Sequence, residues 1–285
     1  MGYKRLVRKI AKLILASQPE IQVNVNVAQI NYGGILENRK IVITGGGSGL
    51  GLAMASKFIN EGAEVLITGR RKQVLDDAVA SLGSRCHALV YDVCGVDKAD
   101  DFIREADKEL NGIDILVSNA GISLHENHFS KVTIDGFDKQ FNTNFRAGYF
   151  IGKAFLEYKT KSTNKDGQLL FITSETGNQC YDIPYGMTKA ALNSLVGAFS
   201  RRVYKDGIRV NAIAPGVTLT DMTKVYAETS NGNLYRDCAS GRTFIPEEVA
   251  EVACFILSDA SKCISGEIIH CNAGNHLKTF WNESK

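Results

Sequence analysis

No two of the seven cysteines (Cys86, Cys94, Cys180, Cys238, Cys254, Cys263, Cys271) form a C-x-x-C pair, and their number is odd. That argues against both a disulfide framework and a zinc site, so no metal is expected and a reducing compartment is favoured. No apolar run approaches the roughly 20 residues of a membrane span. Lys12 interrupts the apolar stretch that a secretory leader would need. The cytoplasm is therefore the expected compartment. Proline is scarce, at four residues, and no Pro/Ser-rich linker divides the chain. A formal net charge of only +2 gives no reason to expect a nucleic-acid partner.

The small charge is unevenly placed. Residues 1–40 carry seven basic residues against two acids, which leaves the remainder mildly acidic. Lys4, Arg5, Arg8, Lys9 and Lys12 interleave with Leu6, Val7, Ile10, Leu13 and Ile14 as in a basic amphipathic helix. Ile21, Val23, Val25 and Val27 then alternate with polar residues as in a half-buried strand. Residues 1–36 are read as a basic amphipathic N-terminal extension. It either packs on its own domain or a neighbouring subunit, or it makes a peripheral membrane or partner contact through residues 1–16.

At 285 residues and 44% hydrophobic composition the chain can bury a sizeable core. Apolar, β-branched runs recur at Lys40–Thr44, Glu64–Thr68, Cys86–Tyr91, Ile113–Ser118, Gln168–Thr173, Gly207–Ile213 and Glu267–Cys271. Stretches of helical period separate most of them, among them Leu50–Asn60, Gln73–Leu82, Ala99–Leu110 and Ala190–Tyr204. Strands alternating with helices predict a parallel sheet covered on both faces. The expected fold is α/β, a Rossmann-type doubly wound parallel sheet of about seven strands in a single domain over residues 37–275, followed by a tail, 276–285. The chemically unusual residues all follow strand-like runs, and in such sheets ligands bind beyond the carboxyl ends of the strands.

The first run opens into Thr44-Gly45-Gly46-Gly47-Ser48-Gly49-Leu50-Gly51 and a helix start. Free backbone N–H groups and the helix dipole make such a turn an anion site. Gly45 permits the tight turn, Gly49 lets the backbone approach a pyrophosphate, and Gly51 lets helix and strand pack closely. The second run ends at Thr68-Gly69-Arg70-Arg71, where an acid would bind the ribose of NAD. A guanidinium there suits a 2′-phosphate, which favours NADP over NAD; the plainer alternative is a pair of solvated helix-start arginines. Asp92 either accepts from an adenine amino group or caps the next helix.

Tyr185 and Lys189 lie one helical turn apart, eleven residues after Ser174. A lysine at i+4 shares the tyrosine's helix face. Its full charge, at roughly 4 Å with an effective dielectric of about 20, is worth about 4 kcal/mol. That draws a phenol toward the working range of a general acid–base catalyst. Lys189 can also donate to a nicotinamide ribose. Ser174 would donate to a substrate oxygen, and Asn144, inside the helical stretch Asp138–Leu156, would hold a water that returns protons through Lys189. Singly, each has a dull reading as a satisfied polar group.

With these residues in hand, the chain from about Asn38 to Gly274 resembles the short-chain dehydrogenases/reductases. The resemblance rests on Thr44-Gly45-x-x-x-Gly49-x-Gly51, Asp92-Val93, Asn119-Ala120-Gly121, Asn144, Ser174, Tyr185-x-x-x-Lys189, Asn211 and Pro215-Gly216 with Thr220. It implies that Tyr185 exchanges the proton, Lys189 activates it, Ser174 orients the carbonyl and Asn144 anchors the relay. It implies cofactor contacts from Gly45, Ser48, Gly49, Leu50, Gly51, Arg70, Asp92, Val93, Asn119, Gly121, Tyr185, Lys189, Pro215, Gly216 and Thr220. Thr220 would touch the nicotinamide carboxamide, and Asn119 would support the central sheet. A homodimer or homotetramer would form through the long helices Phe137–Leu156 and Tyr185–Tyr204.

The expected activity is NADP(H)-dependent interconversion of a carbonyl and a secondary alcohol, as in a carbonyl reductase acting on a 3-oxoacyl or a sugar/polyol compound. The alternative is a non-catalytic NADP-binding sensor or scaffold recruited through its basic arm; the intact Ser174, Tyr185 and Lys189 argue against it. The stretch Val217–Ile245 would cover the nicotinamide, with Tyr226, Tyr235 and Arg236 lining a polar pocket. His125 and His128 read as exposed loop residues near the mouth. The interval from Ser174 to Tyr185 is about two residues shorter than the family's usual spacing, and Asn272-Ala273-Gly274 replaces an Asp-Gly-Gly-like turn.

Overall fold

The computed structural model describes residues 33–223, 239–240 and 242–277. The amphipathic pattern over residues 4–14, the alternation over 21–27, and Tyr226, Tyr235 and Arg236 lie outside the described residues. In chain order the elements are β1 (Lys40–Thr44), α1 (Gly49–Asn60), β2 (Glu64–Gly69), α2 (Lys72–Leu82), β3 (Cys86–Val90), α3 (Ala99–Leu110) and β4 (Ile115–Ser118). There follow α4 (Ile134–Gln140), a π turn (Phe141–Arg146), α5 (Ala147–Lys161), β5 (Gly167–Ile172), α6 (Pro184–Val203), β6 (Ile208–Pro215), α7 (Pro246–Leu257) and β7 (Ile268–Cys271).

The seven strands form one sheet in the order β3-β2-β1-β4-β5-β6-β7, and every described pairing is parallel. Alternation along each strand divides the core between the two faces. Ile41, Ile43, Val65 and Ile67 join Met54 and Phe58 of α1 and Val249 and Ile256 of α7. Val42 and Leu66 point the other way, toward Phe102 of α3, Ile151 and Phe155 of α5, and Leu192 and Val196 of α6. Strands buried on both faces explain the near-continuous apolar runs. The doubly wound sheet expected from the pattern is observed, with strand ends displaced by one or two residues.

Two local differences bear on the site. The stretch Asp138–Leu156 is helical throughout, but a π turn, Phe141–Arg146, widens the spacing between α4 and α5. Helix α6 starts at Pro184, one residue before the expected Tyr185–Tyr204 and ahead of the periodic stretch Ala190–Tyr204, because a proline at the first helical position is pre-set for helix and loses no needed N–H. Tyr185 therefore stands in the first turn of α6.

Candidate active site

The glycine-rich turn leaves β1 with Gly45 and Gly49 at positive φ, +67° and +54°, where a Cβ would be strained. A side chain on Gly51 would collide with the Gly45 carbonyl oxygen and come within 2.7 Å of Asn119 Nδ2. That amide is what fixes the turn: Asn119 Nδ2 donates to the carbonyls of Thr44 and Gly45 at 3.0 and 3.1 Å. Thr44 Oγ1 accepts in return from the backbone N–H groups of Asn119 and Ala120. The ends of β1 and β4 are thus clasped at their carboxyl edge.

Ser48 occupies the N-cap of α1 without a side-chain cap bond, and no acid sits in that helix's first turn. The amides of the first turn are therefore left open beside Leu50, with Thr220 across the turn: a Cβ on Gly49 would lie 3.4 Å from Thr220 Cγ2. Arg70, just past β2, is exposed. An open helix start, glycines where a phosphate would approach and a nearby guanidinium fit a dinucleotide.

At the end of β3, Asp92 is exposed and Val93 buried. Asp92 does not cap the following helical turn; its Oδ1 accepts from Cys94 N–H at 3.0 Å, closing a local turn. His128 bonds Ser130, as a loop residue would, and His125 adopts φ of +58° beside Ser123.

The π turn brings Asn144 inward, where it is 2% exposed. Its Oδ1 accepts from Ile122 N–H at 2.8 Å, and its Nδ2 donates to the Ile122 carbonyl at 2.8 Å and to Thr188 Oγ1 at 3.2 Å. Asn144 thus joins the loop after β4 to α6. Gly121 makes room for this: a Cβ there would lie 3.3 Å from Asn144 Oδ1 and 3.6 Å from Lys189 Nζ. Asn144, Gly121 and Lys189 therefore converge.

Lys189 is 4% exposed and donates to the Ile172 carbonyl, at the end of β5, at 2.9 Å. Its Nζ stands 5.6 Å from the centroid of the Tyr185 ring. Burial, with no carboxylate within ion-pair distance among the described residues, pulls its pKa down from 10.5 to about 8.

Ser174 does not end the fifth strand; it is the N-cap of a short 3-10 turn, Glu175–Asn178. Its hydroxyl oxygen accepts from Thr176 N–H at 3.3 Å and lies 3.0 Å from Thr176 Oγ1. With Thr176 as the donor in both contacts, the Ser174 proton stays available. The turn is seated on α6 through Gly177, where a Cβ would meet the Lys189 carbonyl carbon at 2.9 Å. At the next strand end, Gly216 N–H bonds the Cys271 carbonyl and Thr218 pairs with Phe244, so both ends of the segment from Val217 to Ile245 are pinned.

Among the described residues, the expected catalytic and cofactor-binding residues thus lie along the carboxyl edge of one sheet. The missed residues are Thr188, which fixes Asn144, and Glu175. The second is a buried acid next to Ser174 whose partners lie far along the chain. Among the described residues no cluster of His, Cys, Asp or Glu could hold a metal, and no helix is long and apolar enough to cross a membrane.

Comparison with known proteins places this geometry. A family model described as enoyl-(acyl carrier protein) reductase matches residues 45–276. General stress protein 39 of Bacillus subtilis is 30% identical over 281 residues, covering 92% of this chain and 95% of that protein. The 3-oxoacyl-[acyl-carrier-protein] reductase FabG of Aquifex aeolicus is 29% identical over 245 residues, covering 84% of this chain and 98% of that protein. Among solved structures, a 3-ketoacyl-(acyl-carrier-protein) reductase from Brucella melitensis complexed with NADH aligns with a TM-score of 0.77 and 26% identity, over 85% of this chain and all of that one.

Proposed function

This chain belongs to the short-chain dehydrogenase/reductase family and is an oxidoreductase of the CH–OH/carbonyl pair; from that premise we propose that it uses NADP(H), with Tyr185 as the general acid–base, on a 3-oxoacyl or sugar/polyol-type substrate. The observation that carries the proposal is the Lys189 amine 5.6 Å from the Tyr185 ring centroid, at the sheet edge where the glycine turn opens. Arg70 supports the choice of NADP, since a guanidinium can fork onto a 2′-phosphate. The similarity to 3-oxoacyl reductases supports a 3-oxoacyl thioester as the first substrate to test.

The bound nicotinamide supplies or accepts the hydride. In the reducing direction Ser174 donates to the carbonyl oxygen and orients it, and Tyr185 delivers the proton that the oxygen requires. Lys189, as an ammonium, favours the phenolate left behind and returns a proton to it. Asn144 holds the loop carrying Gly121 against Lys189, so that amine and phenol keep their relation. Gly45, Gly49, Gly51 and the uncapped start of α1 would hold the pyrophosphate, and Asp92, Val93, Asn119, Pro215, Gly216 and Thr220 would hold the remainder.

The same proposal includes a homodimer or homotetramer packed through α4, α5 and α6, supported by exposed Ile134, Phe137, Tyr149 and Phe150. A monomer in sedimentation equilibrium at working concentration removes that part.

Stopped-flow absorbance of NADPH, with a panel of a 3-oxoacyl thioester, a keto-sugar and a cyclic ketone, tests the function. Wild type should turn over at least one compound, faster with NADPH than with NADH. Tyr185→Phe should lose about 10² to 10⁴ in turnover while binding NADPH as before. Tight cofactor binding with no turnover of any compound would favour a sensor instead.

A further inference from the structure

Glu175 follows Ser174 directly and is only 7% exposed. Its Oε2 accepts from Asn272 Nδ2 at 3.0 Å and from Asn275 Nδ2 at 3.1 Å, partners 97 and 100 residues away. Among the described residues no cation pairs with it. Burying a carboxylate without a counter-ion is costly, so its presence here calls for a reason beyond packing.

The turn it grips is itself fixed. Asn272 Oδ1 accepts from Gly274 N–H at 3.1 Å and lies 3.0 Å from His276 Nδ1. Asn272 also presses on β6's exit, where a Cβ on Gly216 would lie 2.9 Å from Asn272 Cβ. Ala273 takes φ of +51°, a left-handed conformation that L side chains disfavour, to hold the turn's shape. By contrast, among the described residues the Ser174 hydroxyl is bonded only within its own turn, to Thr176. Among the described residues that turn is anchored on one side to α6, through Gly177 and through Asn178 Oδ1, which accepts from Asn193 Nδ2 at 2.6 Å, and on the other to the turn after β7, through Glu175.

We propose that Glu175 is a positioning residue, whose carboxylate ties the Ser174 turn to Asn272 and Asn275 and so sets where the Ser174 hydroxyl stands. The proposal rests on the reading of Ser174 as the carbonyl-orienting group. It makes the ends of β5, β6 and β7 one rigid junction on the substrate side. A small misplacement of an orienting group costs rate without cost to cofactor binding.

The test is a double-mutant cycle read in kcat/KM on the panel compound that wild type turns over fastest. Glu175→Leu, which removes the acceptor at similar volume, should lower kcat/KM by about tenfold to a hundredfold, with NADPH affinity unchanged. Glu175→Gln keeps an acceptor oxygen and should recover most of the loss. In a Ser174→Ala background, Glu175→Leu should cost less than about twofold, because the residue it acts through is gone. Equal losses in both backgrounds would make Glu175 merely structural and overturn the proposal. If Ser174→Ala itself leaves turnover unchanged, the reading of Ser174 fails; if Ser174→Ala impairs turnover and Glu175→Leu does not, the positioning role alone fails. Amide hydrogen exchange gives a readout that needs no turnover. Glu175→Leu should speed exchange in both 174–179 and 272–277, and unchanged exchange in both overturns the proposal. Should that variant not fold, Asn272→Asp, which sets two carboxylates against each other, should lower kcat/KM, and Glu175→Gln with Asn272→Asp should restore it. Failure of that rescue counts against the proposal.

Discussion

The two ends of the sheet handle buried charge in opposite ways. At the amino ends of the strands, charged groups are met by protein. Arg39 pairs with Asp166 and Asp259, both at 2.7 Å. Lys159 donates to the Ile113 carbonyl at 2.9 Å and reaches Asp114 at 3.5 Å. Arg209 donates to Gln168 and to the carbonyls of Ile264, Ile256 and Ser258. At the carboxyl ends Lys189 and Glu175 are buried like Lys159 and Arg209, yet among the described residues Lys189 meets one carbonyl, where Arg209 meets four acceptors, Glu175 meets two neutral amides and no cation, and the start of α1 lacks a side-chain cap. Satisfied polar groups hold a fold, whereas groups left partly unmet are where a ligand finds its contacts.

The sharpest way to break this contrast is at the satisfied end. Arg209→Met removes the charge-assisted bonds and leaves Gln168 Oε1 without a donor. It should cost about 3 kcal/mol of stability, seen as a lowered urea midpoint. Cofactor affinity, set at the opposite edge, should stay the same. A variant as stable as wild type, or one that loses NADPH binding while fully folded, would dissolve the distinction between a structural and a functional end.

How much of this was legible beforehand follows the same division. The central strand runs were visible because burial on both faces demands nearly unbroken apolar residues, whereas the edge strands β3 and β7 are only partly buried; the structure displaces strand ends by only a residue or two. The glycine turn and the Tyr185–Lys189 spacing were legible because each is local, a matter of residues within one or two turns. The π turn at Asn144 was not, since one widened turn barely disturbs the apolar period of α4 and α5. Asp92 fits two roles in sequence, an adenine contact or a helix cap, and its bond to Cys94 follows from a local turn that the pattern does not specify. Glu175 was invisible for a different reason: its partners, Asn272 and Asn275, are brought to it by the strand order and by nothing in its own neighbourhood.

Lys189 sharpens the contrast from the unsatisfied end, through pH. Its folded pKa of about 8 lies below the 10.5 of an unperturbed lysine. Below about 8 both folded and unfolded chains carry the proton, and the folded state bears the full burden of burying it. Between about 8 and 10.5 the unfolded chain still holds a proton that the folded one has released, so this group makes stability rise with pH, by up to about 3 kcal/mol across the window. Buried thiols act the other way: Cys86 and Cys271 are raised by burial to about 11 and Cys254, for the same main cause, to about 12, so the unfolded chain releases those protons first and stability falls. The sum in wild type therefore hides the lysine, and the measurement must be a difference. Urea unfolding of wild type and of Lys189→Met from pH 7 to 10.5 should give curves that converge as pH rises, with Lys189→Met gaining most at pH 7. That gain is offset in part because the Ile172 carbonyl loses its donor. Parallel curves would mean that the folded amine holds its proton as tightly as an unburied lysine does. The depression that brings its proton into the catalytic range would then be absent.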